Sequence, residues 1–205
     1  MKYIKSFLIY ICLLFPLTGI AQKKQLQTVR DQIKSGKELT KAENTLRGLL
    51  VDSVSKKNNK IWLLLCDALI KQYEQGNEKL YLKQKYDTAA FFSVTRRLYD
   101  TMSRFDSLDA KPDAEGRVRA KYRTKHAEFL NSIRPNLFNG GSYFIHKKDY
   151  NTAFDYYSDY LESANYPLFE GYDYMKNDAL IPHAAYWAMF CGYKLSDADK
   201  IMRFK

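Results

Sequence analysis

The stretch that most limits what this chain can fold into is residues 135–165, "PNLFNGGSYFIHKKDYNTAFDYYSDYLESAN". Pro135 suits a first helical turn, where its missing N–H has no intrahelical partner to lose. The polar turn "KKD" at 147–149 separates that segment from a second one rich in tyrosine. In the second, Ala153, Tyr157, Tyr160 and Ala164 recur at three and four residues, with Tyr150 before them at the same spacing. That is the period of one helical face. Phe154 and Leu161 widen the apolar stripe toward a further neighbour. The spacing therefore predicts a helical hairpin, with the aromatics closing on the Gly140–Gly141 side of the first helix. Of the aromatics, Tyr156 alone receives no packing role from the pattern.

Other segments carry the helical period. Leu39, Ala42, Leu46, Leu49 and Leu50 share one face, and "NKIWLLLCDALIKQYEQGN" follows, opened by a capping Asn and predicted to close at Gly76. "KYDTAAFFSVTRRLYDTMSRF" reads as another helix, ended by "KPD" at 111–113. A basic helix is predicted from about Ala114, aligning Val118, Tyr122, His126, Phe129 and Ile133. Pro182 repeats the device of Pro135, opening "PHAAYWAMFCGYKL" before "SDADKIMRFK". Nine Gly and five Pro are too few for a protein built from many tight β turns, so the fold class is all-α. An internal match reinforces a repeat: Tyr86, Asp87, Thr88 and Ala89 align with Tyr150, Asn151, Thr152 and Ala153.

Residues 1–21 read as a signal peptide: Lys2 and Lys5, then the apolar run "FLIYICLLFPLTGI", then a small-x-small site before Gln22. The run is short and broken by Pro16, which favours cleavage over a stable membrane span. Ile11 before Cys12 argues against lipid attachment. Removing Lys2 and Lys5 takes the formal net charge from +10 to +8. With the cations scattered, that excess reads as a solvated surface and not a nucleic-acid site. The chain is expected to be periplasmic or secreted, as residues 22–205. Cys66 and Cys191 sit inside apolar stretches and read as buried thiols.

The hairpin resembles the tetratricopeptide repeat. Residues 134–165 fit its pattern at Leu137, Gly141, Phe144, Ala153 and Tyr157, and depart from it at Gly140, Tyr160 and Asn165. A degenerate unit at about 58–106 fits at Trp62, Leu65, Cys66 and Leu69, and a partial unit covers 182–205. The resemblance implies an α-solenoid of irregular antiparallel hairpins. It further implies a concave face lined by first-helix residues that stand clear of the second helix. By position these are Asp67 and Lys71 in one unit and Phe138, Ser142 and His146 in another.

No catalytic constellation is legible. His126, His146 and His183 are far apart and lack the i, i+4 spacing of a helical metal site, and no Gly-rich phosphate loop or G-x-S-x-G occurs. Asp155, Asp159 and Glu162 read as a wet face. The expectation is a non-catalytic scaffold without metal or cofactor, binding a protein or peptide partner. The short apolar end at Ile201, Met202 and Phe204 is expected to dock on something. The alternative is a carbohydrate-binding component of a glycan-uptake system, in which tyrosines stack on sugar rings.

Overall fold

The computed structural model describes residues 22–205; the predicted leader lies outside them. The described residues form helices and turns with no strand, so the chain is all-α. It divides into two compact units, one ending at Gln72 and the other spanning Tyr73–Lys205.

In the first unit, α1 occupies residues 22–35 and ends where Gly36 takes a left-handed φ of 68°. The Lys37 N–H then bonds Gln32 O at 3.2 Å and the Gly36 N–H bonds Ile33 O, satisfying carbonyls the helix end would leave open. α2 (Leu39–Leu49) buries Leu39, Ala42 and Leu46 of the predicted face, while Leu49 and Leu50 at its end are half-buried. α3 (Asn59–Tyr81) begins in this unit and buries Ile61, Trp62, Leu65, Cys66 and Leu69. The Trp62 indole N–H donates to Lys56 O at 2.8 Å, and the Gln72 amide donates to Glu43 at 2.9 Å.

α3 does not stop at Gly76. It continues to Tyr81 and closes on Lys83 at φ 55°, with Gln84 N bonding Lys79 O at 2.8 Å. Gly76 is instead a contact point inside the helix. A Cβ there would lie 2.9 Å from the Tyr86 ring and 3.1 Å from Phe91. The position uses the small size of glycine and not its turn geometry: it lets two rings approach the helix.

α4 (Thr88–Asp109) is capped by Asp87, whose carboxylate accepts from the Ala89 and Ala90 N–H groups. The helix predicted from Ala114 starts only at α5 (Arg123–Ile133). Residues 114–122 are turn and coil, with Gly116 at φ 78° and Val118 58% exposed. Asp113 competes with helix formation there by accepting from the Glu115 and Arg117 N–H groups. α5 runs antiparallel to α4: Phe105 meets Tyr122 and His126, Arg123 pairs with Asp106, and the Tyr99 hydroxyl donates to Leu130 O.

Pro135 opens α6 (Pro135–His146), and α7 (Tyr150–Ser163) returns beside it. Cβ atoms at Gly140 and Gly141 would each come within 2.6 Å of a ring, Tyr156 and Tyr157 respectively. Phe144 stacks on Tyr156 and Phe138 meets Tyr160 edge-on, so residue numbers fall on α6 as they rise on α7, an antiparallel hairpin. Tyr156 thus has a packing role after all. It is 2% exposed, held between Gly140, Phe144 and the α4 residues Phe92 and Arg96. Asp159 also leaves the wet face to pair with Arg96 of α4.

After α7 the chain forms a short 3-10 turn (Pro167–Phe169) and α8 (Tyr174–Asn177). α9 (Ile181–Lys194) packs against α7, and α10 (Ala198–Met202) folds back on α9. The hairpins α6–α7 and α9–α10 share one turn. Lys148 and Ser196 are left-handed, and Asp149 and Asp197 then cap the next helix through Thr152 N and Lys200 N. In each, the capping Asp N–H also bonds back into the preceding helix, to Phe144 O and Gly192 O.

Candidate functional site

The interruption at Pro135 creates the most distinctive polar arrangement in the second unit. Arg134, between α5 and α6, keeps helical angles of φ −54° and ψ −39°. The Pro135 ring removes one N–H and crowds the carbonyl one turn back, which breaks the helix here. Arg134 at the break is 4% exposed. Its guanidinium lies 3.8 Å from the Tyr160 ring centre and 4.0 Å from that of Tyr174.

The charge is answered by Asp178, which accepts from Arg134 Nη1 and, at 2.6 Å, from the Tyr160 hydroxyl. Arg134 Nη2 donates to Tyr160 O at 3.0 Å. A buried ion pair recovers its desolvation cost only with such supporting bonds. Burial works to raise the Asp178 pKa, but the Tyr160 hydroxyl, the Leu180 N–H and Arg134 outweigh it and hold the carboxyl below its ordinary range. Burial pushes the Tyr174 hydroxyl up to about 12, so it stays protonated and donates to Asn131 at 2.5 Å.

The segment after α7 delivers these groups. Gly171 at φ 93° and Asp173 at φ 50° turn the chain sharply, and Phe169 anchors it edge-on to both Tyr172 and Tyr174. Between this segment and the α5–α6 break lies a cleft of about 380 Å³, lined among others by Asn131, Arg134, Tyr160, Tyr172, Tyr174 and Asp178. Its one carboxylate is committed to Arg134 and Tyr160. The lining holds no Ser, Cys, His or Lys. None of these groups was singled out from the sequence as a site. The available signal was the crowding of three tyrosines, Asn177 and Asp178 into 166–178, a stretch without helical period.

The sequence-predicted binding residues divide differently. Asp67 is exposed and Lys71 half-buried on α3, in the first unit. In the second, Phe138, Ser142 and His146 follow one another at four-residue spacing on α6. Phe138 and Ser142 do not stand clear of the second helix: Phe138 lies edge-on to Tyr157, and Ser142 shares a 3.0 Å hydrogen bond with the Tyr157 hydroxyl. The ring at Gly141 draws both in. His146 is exposed.

A third feature is the outer side of α9. Ile181, Ala184, Ala188 and Cys191 are buried, while Tyr186, Met189 and Tyr193 are 54%, 41% and 70% exposed. Half-buried Trp187 lies edge-on to Tyr186 and to Phe190, adding two rings beside Tyr186. Among the described residues both cysteines, Cys66 and Cys191, are unpaired and buried; burial raises the Cys66 thiol to about 12 and Cys191 to about 11. His126 is buried against Phe105 and Tyr122, and burial lowers its pKa. Among the described residues no three His, Cys, Asp or Glu side chains gather as a metal-binding set, and no helix is long and apolar enough to cross a membrane. Comparison with protein-family models, with curated proteins and with solved structures returned no match.

Proposed function

We propose that this chain is a non-catalytic scaffold of tetratricopeptide-like hairpins, exported to the cell envelope, that binds a protein or peptide partner. The observation that carries the binding role is the exposed Tyr186–Met189–Tyr193 face of α9, with the rings of Trp187 and Phe190 beside Tyr186. Aromatic residues and Met are enriched at protein interfaces, and Tyr and Trp dominate their energetics. The repeat character is supported by two hairpins closed by the same turn. Both have a proline near the start of the first helix and glycine at the contact with the second. A Cβ at Gly192 would lie 2.7 Å from Ile201 N, as the α6 glycines would meet the α7 rings.

A photo-crosslinking residue at position 193 tests the reading in the cells that make the chain. The expected result is one saturable crosslinked protein, competed by excess unlabelled chain and lost in a Tyr186→Ser, Met189→Ser variant of unchanged helicity. Absence of a competable crosslink would remove the basis for the proposal. Terminal sequencing of the chain recovered from the envelope is expected to begin at Gln22.

A further inference from the structure

Beyond partner binding, we propose that the cleft between the α5–α6 break and the 166–178 segment is a binding site for a neutral saccharide. The inference stands on the cleft alone and is independent of the α9 face.

The charge state of the cleft excludes the simpler ligands. Arg134 and Asp178 neutralise each other, and Asp178 spends its second oxygen on the Leu180 N–H at 2.9 Å. An anion would have to take Arg134 from Asp178, and a cation would have to take Asp178 from Arg134. Each exchange strands a buried charge, which is strongly unfavourable. A wholly apolar ligand fares no better, because it would cover the exposed amides of Asn131 and Asn177 without bonding them.

What remains accessible matches a sugar ring. Asn131 uses its oxygen on the Tyr174 hydroxyl, which leaves its two N–H donors. Asn177 donates one N–H to Tyr172 O at 3.3 Å and keeps its oxygen as an acceptor. A sugar hydroxyl donates and accepts at once, so it can bridge two such amides. Tyr172 is half-buried against Phe169 and lines the cleft, giving a held aromatic surface for the C–H face of the ring. Arg134 covers the faces of Tyr160 and Tyr174, so those rings build the floor and Tyr172 is the platform. The cleft volume of about 380 Å³ falls at the small end of ordinary ligand sites, consistent with one or two sugar units.

The test is calorimetric titration of the whole chain with neutral hexasaccharides of α- and β-linked glucose, xylose, mannose and N-acetylglucosamine. At least one is expected to bind at a single site. Tyr172→Ala should weaken it by ~10-fold or more, equivalent to ~1.4 kcal/mol, and Tyr172→Phe should keep it within about threefold. Asn177→Ala, on an exposed side chain, gives a second variant whose folding is not at stake. Binding should not change between about 0.05 and 0.5 M salt, because no charge is exchanged. The proposal fails if none of these neutral hexasaccharides binds, or if binding ignores both variants.

Discussion

Replacing Gly141 by alanine puts a methyl group 2.6 Å from Cε2 and Cζ of Tyr157 and 2.9 Å from Cδ2. Favourable carbon contacts lie near 3.5–4.0 Å, so the ring must move by roughly 1 Å. It has nowhere to go, being fully buried, edge-on to Phe138 and hydrogen-bonded to Ser142. Overpacking of this kind costs ~1–3 kcal/mol, and loss of the Ser142 bond adds ~1 kcal/mol. Against this stands a helix-propensity gain of ~1 kcal/mol for Gly→Ala. The net is a destabilisation of about 2 kcal/mol, expected as roughly 30-fold faster amide exchange in α6 and α7 under native conditions. Gly48→Ala is the matched control. Nothing lies within 4 Å of its Cβ, so only the propensity gain operates and α2 should be unchanged or better protected. Because the two sites lie in different units, exchange measured helix by helix keeps the effects apart. If Gly141→Ala protects α6 and α7 as the control protects α2, the close-approach role of that glycine is refuted. Shortening the ring in a Gly141→Ala, Tyr157→Leu double variant should recover part of the loss.

Two further predictions concern ionisation. Asp178→Asn leaves Arg134 buried without its counter-charge and should cost about 3 kcal/mol, read as lost exchange protection over residues 167–180. The Asp178 pKa is depressed in the fold, so its contribution is complete above the unfolded carboxylate value of about 3.9 and is lost as pH falls through the lower folded value. Acid unfolding followed by circular dichroism should lose that part of its slope in the Asn variant. His126 is also depressed, by burial, so its stabilising neutral form is fully populated above about pH 6.5 and stability falls as pH drops toward its folded value. Urea midpoints between about pH 7 and 5 should flatten in His126→Leu.

What could be read from the sequence was what neighbouring residues decide among themselves. Pro135, the three- and four-residue spacing of Ala153, Tyr157, Tyr160 and Ala164, and the face of Leu39, Ala42 and Leu46 each act within a few turns of one helix. The errors have the opposite character. Gly76 looks like a helix end because glycine usually is one, and only the rings of Tyr86 and Phe91 show that it is a contact surface. Tyr156 looked idle because a hairpin has two helices, and its second neighbour, α4, lies far back in the chain. The cleft was invisible for the same reason, being assembled from 131–135, Tyr160 and 172–180. One long-range relation was nevertheless legible. The match of Tyr86 through Ala89 with Tyr150 through Ala153 has an offset of 64 residues. Phe92 meets Tyr156 at that same offset, and Arg96 pairs with Asp159 one residue short of it. Residue numbers rise together in these two contacts, so α4 and α7 run parallel where they touch. The matched residues lie at the starts of both helices but two positions out of register: Asp87 caps α4, whereas its counterpart Asn151 is already inside α7, which Asp149 caps. The match therefore marks the beginnings of two helices that touch through Phe92 and Tyr156, a relation no helical period supplies, without making their first turns alike.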